Sequence, residues 1–203
     1  MRRFLVFAAF VLASITACTD ATQAPAQLRR GLSADPATLD PQQARSVAAL
    51  KVLGDVYEGL LTRDAAGAVV PGVAARWQVS GDGTHYTFSL RDDARWQDGS
   101  PVTAADFLRG WRHLADPDNA AFYADLLRPV MGAEAVAAGD AAPETLGIAA
   151  PDSHTFVVTL TRPQADFLQR LGHPALAPRH ASATAPFGNG AYSVAERAPG
   201  RIL

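Results

Sequence analysis

Apolar residues recur along this chain in two periods, every third or fourth position and every second position, and the two periods take turns. Val47, Leu50, Leu53 and Val56-Tyr57 share one face at helical spacing, with Gly59 as the expected stop. Leu60-Leu61-Thr62 and Val69-Val70 flank Asp64-Ala65-Ala66-Gly67, a hairpin whose turn needs the positive φ that Gly67 permits. Trp77 and Val79 alternate before Ser80-Gly81-Asp82-Gly83, and Tyr86, Phe88 and Leu90 alternate after it, which predicts a second and stronger hairpin. Thr103 stands three residues before Asp106 and ahead of Phe107, Leu108, Trp111 and Leu114, a capped helix that Asp116-Pro117 ends. Further helices are expected over Ala120 to Leu127, Val130 to Ala138 and Gln164 to Leu171, the last closed by Gly172. Leu146 to Ile148 is expected to pair with Thr155 to Leu160, and Leu28 to Leu32 reads as a short strand. His173 to Gly190 has no period. Tyr192 to Val194 and Ile202-Leu203 read as strand, so the pattern breaks off as a strand begins and predicts a continuation.

The first apolar run belongs to none of these elements. Arg2 and Arg3 precede an unbroken apolar or small stretch from Phe4 to Ala17, and at 14 residues it is shorter than the roughly 20 that cross a hydrocarbon core. It reads as a signal peptide over residues 1–17. Residues 18–27 are mostly small and polar, with Pro25, and read as a tether.

Composition narrows the function classes. With 203 residues, 48% of them hydrophobic and 19% charged, and a formal charge of −2, the chain is neither disordered nor fibrous. Its basic residues, of which Lys51 is the single lysine, are scattered, so no stripe matches a phosphate backbone and nucleic acid is not an expected partner. One cysteine forms no internal disulfide. No nucleophile elbow, His-Glu-x-x-His or phosphate-binding loop is present, and an enzyme is not expected. The five histidines lack ligand spacing, His173 and His180 being the nearest pair, and Asp116-Pro117-Asp118-Asn119 lacks the glycine and distal glutamate of a calcium loop. Neither a metal nor a cofactor is expected.

Two resemblances sharpen the picture. Ile15-Thr16-Ala17-Cys18 resembles the lipobox of bacterial lipoproteins, which implies acylation of Cys18 as the first mature residue; the alternative is a free cysteine ending a simple secretory signal. Leu39-Asp40-Pro41, Tyr57-Glu58-Gly59-Leu60-Leu61, Pro71-Gly72-Val73-Ala74, Asp82-Gly83-Thr84 and Trp96-Gln97-Asp98-Gly99-Ser100-Pro101-Val102-Thr103 resemble, in order and spacing, family 5 of the extracytoplasmic solute-binding proteins that feed peptide ABC importers. Ala121-Phe122-Tyr123, Asp152-Ser153-His154-Thr155-Phe156 and Asn189-Gly190-Ala191-Tyr192 continue it, nearest the oligopeptide-binding branch. Read physically, most of these residues are scaffold: turn glycines, a cap and one apolar sheet face carrying Trp77, Tyr86, Phe88, Leu90 and Trp96.

The resemblance implies a mixed α and β fold, lobes of a two-lobed hinged periplasmic receptor, with this chain as its N-terminal part and cut before the second lobe. Residues 28–60 would form a first-lobe segment, 61–172 a family-specific α and β domain, and 173–203 a return to the first lobe. The implied function is capture of peptides in the periplasm for import, by a lipid-anchored monomer that meets permease subunits in the membrane. Arg45, Ser46 and Val47 would lie along the peptide and Tyr123 would face it. Arg45 departs from the acidic residue that the resemblance suggests there. The plain alternatives are a solvated arginine before a helix and a tyrosine that only packs. A surface lipoprotein with a structural role is the alternative for the whole chain.

Overall fold

The computed structural model describes residues 31–182, 184, 186–198 and 200–202. The expected signal peptide, Cys18 and the tether lie outside them, and so does most of the expected first strand, whose Gly31 and Leu32 are in no strand.

Helix α1, Val47–Val56, buries Ala48, Ala49, Leu53 and Val56 on one face. Ser46 caps it, its hydroxyl accepting the Ala49 N–H at 3.1 Å. Two details differ from expectation. Val47, counted on the apolar face, is 66% exposed at the first helical position. The stop is Tyr57, in extended conformation with its N–H on the Leu53 carbonyl at 2.8 Å, rather than Gly59. Gly59 is needed for close approach: a Cβ there would run into the Leu171 carbonyl.

Strands β1, Leu61–Arg63, and β2, Val69–Pro71, pair antiparallel across a turn in which Asp64 Oδ1 accepts the N–H groups of Ala66 and Ala68 at 2.9 Å. Gly67 there has φ 83°. Strands β3, Ala74–Val79, β4, His85–Leu90, β5, Ile148–Ala149, and β6, Thr155–Thr159, form one antiparallel sheet in the order β3-β4-β6-β5. Phe88 stands opposite Trp77 on one side and Phe156 on the other. The inward face is the expected one for Tyr86, Phe88 and Leu90, whereas Trp77 is half-buried and Val79 is exposed on β3, the edge strand of the sheet.

Helix α2, Ala104–Ala115, lies on that face and buries Phe107, Trp111 and Leu114. Its first turn is a capping box in which Asp106 Oδ2 accepts the Thr103 N–H at 2.8 Å. Trp111 meets Phe156 edge-on with ring centroids 5.1 Å apart. Asp116 ends the helix as expected. The helix expected over Ala120 to Leu127 is absent: a 3-10 turn, Pro117–Asn119, leads to Ala120 in the left-handed region, and only a 3-10 turn over Ala124–Leu127 follows. The alanine-rich stretch shrinks to α3, Ala133–Ala137, since Gly132 at φ 83° breaks the chain before it. Helix α4, Phe167–Arg170, is one turn capped by Leu171, not Gly172. Tyr192 to Val194 are in no strand; the last described pair is β7, Arg197–Ala198, with β8, Arg201–Ile202.

Two apolar clusters result. The larger joins the sheet to α2 and reaches Leu171 and Leu176. The smaller gathers Leu39, Ala44, Ala49, Leu53, Val56 and Tyr57 with Ala177, and Val194 and Ile202 pack against it.

Candidate functional site

The mixed α and β architecture brings two of the four expected ligand residues to one place. Arg45 is exposed just before α1, and its guanidinium carbon lies 4.7 Å from the centre of the Phe122 ring. Phe122 meets Tyr123 edge-on at 4.8 Å, and Tyr123 meets His173 at 4.3 Å. Arg45, Phe122, Tyr123 and His173 therefore form a continuous basic and aromatic row. Phe122 is 51% exposed and Tyr123 half-buried. Ser46 is placed beside the row, but its hydroxyl is engaged as the cap of α1. Val47 offers an open apolar side chain one residue further on.

Phe122 and His173 were not singled out as site residues. An aromatic inside an expected helix reads as core, and only the left-handed turn at Ala120 swings Phe122 outward. Gln42 was missed for the opposite reason, since a lone glutamine carries no sequence signal. It is 3% exposed, and its Nε2 donates to the carbonyls of Gly110 at 2.8 Å and Ala175 at 3.3 Å. Its Oε1 then has to accept, so His113 Nδ1, at 2.6 Å, carries the proton. The Gln42 carbonyl in turn accepts the Phe122 N–H at 3.2 Å. One buried amide thus ties the loop before Arg45 to α2 and to the His173 turn, while its backbone ties in Phe122.

Burial depresses the pKa of His113, helped by the Arg179 charge, and burial alone depresses that of His173. Both are therefore held neutral by folding. His173 Nδ1 accepts the Ala175 N–H at 3.1 Å, which fixes its proton on Nε2. A histidine whose folded pKa lies below its unfolded value of about 6.5 contributes stability that is complete above that pH and is lost as pH falls through it toward the folded value. Denaturant midpoints should be flat from pH 8 to 7 and fall from 6.5 downward, with a shallower fall in His113→Gln; a flat profile down to pH 5.5 would count against buried neutral imidazoles.

The Asn189-Gly190-Ala191-Tyr192 motif is scaffold, as its physics suggested. Asn189 brackets the Glu58 backbone, accepting its N–H at 3.1 Å and donating to its carbonyl at 2.9 Å. Gly190 and Tyr192 donate to the Val56 and Asp55 carbonyls at the end of α1, and Gly188 has no room for a Cβ against Val56. Nearby, Pro41, Gln42, Tyr57, Arg179, His180 and Phe187 line a recess of about 20 Å³, room for about one water and no larger ligand. There the Tyr57 hydroxyl accepts the Phe187 N–H at 3.1 Å, and its pKa is pushed up to about 12 by burial. Among the described residues no three His, Cys, Asp or Glu side chains cluster as metal ligands, and no helix is long and apolar enough to cross a membrane. His173 and His180 sit apart in function, one on Tyr123 and the other between Trp96 and Phe187. The row, built from the residue before the α1 cap, the 122–123 segment and His173, offers a basic and aromatic contact surface.

Comparison with known proteins points the same way. Residues 68–203 match the model of the bacterial extracellular solute-binding proteins, family 5 Middle. The chain is 37% identical over 183 residues to the periplasmic murein peptide-binding protein MppA of Escherichia coli, covering 84% of this chain and 34% of that protein. It is 37% identical over 196 residues to the periplasmic oligopeptide-binding protein OppA of Salmonella typhimurium, covering 91% and 36%. Among solved structures, Haemophilus influenzae OppA in complex with the peptide RPPGFSPFR superposes with a TM-score of 0.79 at 36% identity, covering 83% of this chain and 36% of that one. The unliganded open form of MppA gives the same TM-score and 36% identity, over 83% and 35%. The chain spans about a third of the length of the relatives it matches.

Proposed function

Because the chain belongs to the family 5 bacterial extracellular solute-binding proteins, we propose that it is part of a peptide receptor, which captures oligopeptides in the periplasm and hands them to the permease subunits of an ABC importer. The observation that carries this reading is the contiguous row of exposed Arg45 and Phe122 with half-buried Tyr123, which includes residues that the resemblance implies lie along the ligand. An exposed aromatic ring set against a second ring suits an extended ligand that covers it. No covalent step is needed, and the reading requires no metal or cofactor. The two apolar clusters, one drawn from Leu60 to Leu176 and the other from Leu39 to Tyr57 with Ala177, support a first-lobe segment before residue 60 and a return that joins its cluster from Ala177, four residues after the expected boundary at 173. Cys18 would anchor a monomer to the membrane, each buried acyl methylene contributing about 0.8 kcal/mol.

Calorimetric titration of the native protein with short peptides tests the receptor. Binding is expected, and Tyr123→Ala should weaken it about three- to tenfold, the value of roughly 0.5–1.5 kcal/mol for an aromatic contact. Absence of binding to every peptide, or an unchanged Kd in Tyr123→Ala, would remove the row from the ligand site. The intact mass of membrane-extracted protein reads the anchor directly: acyl chains should add to a chain beginning at Cys18, and an unmodified thiol there would leave a plain secreted protein.

A further inference from the structure

Among the described residues no carboxylate neutralises the charge of Arg45. Arg91, Arg109 and Arg170 each place a guanidinium nitrogen 2.7–2.8 Å from a carboxylate, of Glu58, Asp106 and Asp166 respectively. Among the described residues no carboxylate pairs with Arg45, and the first turn of α1 beside it holds no acidic residue. Its guanidinium stands over the Phe122 ring. A ring face orients a guanidinium through its quadrupole but leaves the full positive charge and the donor fork free. Phe122 is more than half exposed and stands against Tyr123, and Val47, two residues along the chain from Arg45, is also more than half exposed.

A positioned, unpaired fork set among apolar surface has a matching partner chemistry, which is a carboxylate on a short aliphatic stem. The two N–H groups would meet the two oxygens, and the methylenes would lie on the Phe122 ring. Resting on the reading that this row faces the ligand, we infer that Arg45 makes the receptor select peptides that present a carboxylate at this point, and that it disfavours peptides with a basic side chain there. A cation in that place repels a lysine or arginine of the ligand as well as attracting an acid, and repulsion is the stronger source of discrimination. The carboxylate can come from an acidic side chain or from the peptide's C-terminus, and the chemistry at Arg45 is the same.

The test is calorimetric titration of the native protein with tetra-alanine peptides carrying Glu, Gln or Lys at each position in turn, each with a free and with an amidated C-terminus. At one position Glu should bind about three- to tenfold tighter than Gln, as for a charge pair partly shielded from water, and Lys weaker than Gln. Arg45→Gln should abolish the preference and Arg45→Glu should turn it toward Lys, a gain that an unfolded variant cannot mimic. A preference for free over amidated C-termini that disappears in Arg45→Gln supports the same carboxylate contact with the terminus as its source. Equal binding of Glu, Gln and Lys peptides by the native protein, or a preference that persists in Arg45→Gln, overturns the inference while leaving the receptor intact. Failure of every peptide to bind overturns the receptor reading and the inference with it.

Discussion

Trp111→Ala should cost about 3–5 kcal/mol of unfolding free energy, the range for emptying a large, fully buried aromatic site. Trp111 is 0% exposed on α2, and its ring sits against Phe156 of the central strand β6. Its indole Nε1 also donates to the Leu176 carbonyl at 3.0 Å, so truncation leaves that buried acceptor without its partner as well as opening a cavity. The site has little means of collapse, because α2 is already held in close approach to the same segment: a Cβ on Gly110 would lie 2.9 Å from the Ala177 carbonyl. Trp111→Phe separates the two effects, keeping ring bulk and losing the donor, and should cost about 1–3 kcal/mol. Guanidinium titrations of both variants check the pair, and an alanine cost near that of phenylalanine would mean the cavity fills by repacking.

Gln42→Leu should cost about 2–4 kcal/mol although it preserves size and adds apolar surface. Three hydrogen bonds vanish at once, leaving the Ala175 carbonyl and the His113 N–H without the partner that satisfied them, while the Gly110 carbonyl keeps only its place in the α2 ladder. Each buried group so orphaned costs about 1–3 kcal/mol, partly offset by the gain of burying leucine in place of an amide. Function should suffer with stability, because this amide joins the loop ahead of Arg45 to α2 and to the His173 turn. Peptide affinity is expected to fall together with the denaturant midpoint, and a variant that unfolds earlier but binds peptide with native affinity would show that the row is held by Phe122 and Tyr123 alone.

Much of the fold was legible because its signals are local. The alternation of Tyr86, Phe88 and Leu90 about a Gly83 turn specifies a hairpin from side-chain period and backbone freedom, and the structure pairs it as read. Thr103 and Asp106 specify a helix start three residues apart, and Asp116 its end. The resemblance to peptide-binding receptors was legible for the same reason, since the residues that carry it are turns, caps and inward faces with fixed spacing.

What failed was also local reading, applied where long-range contacts decide. Gly59, read as a helix stop, is a contact glycine against Leu171, more than a hundred residues away. Ala120 to Leu127 has helical spacing, yet Ala120 takes a left-handed turn and Phe122 goes to the surface, its N–H engaged by the Gln42 carbonyl instead of a helix bond. The sequence by itself determined the two hairpins of β1 to β4, the capped start and the end of α2, and the family, because each is carried by residues within a few positions of one another. Only the tertiary structure decided that Gln42 is the buried link, that Arg45 stands over Phe122, and that His173 joins Tyr123. Those are contacts across 50 to 133 residues of chain, formed when α1, α2 and the 173–177 turn pack together, and no period along the chain encodes them.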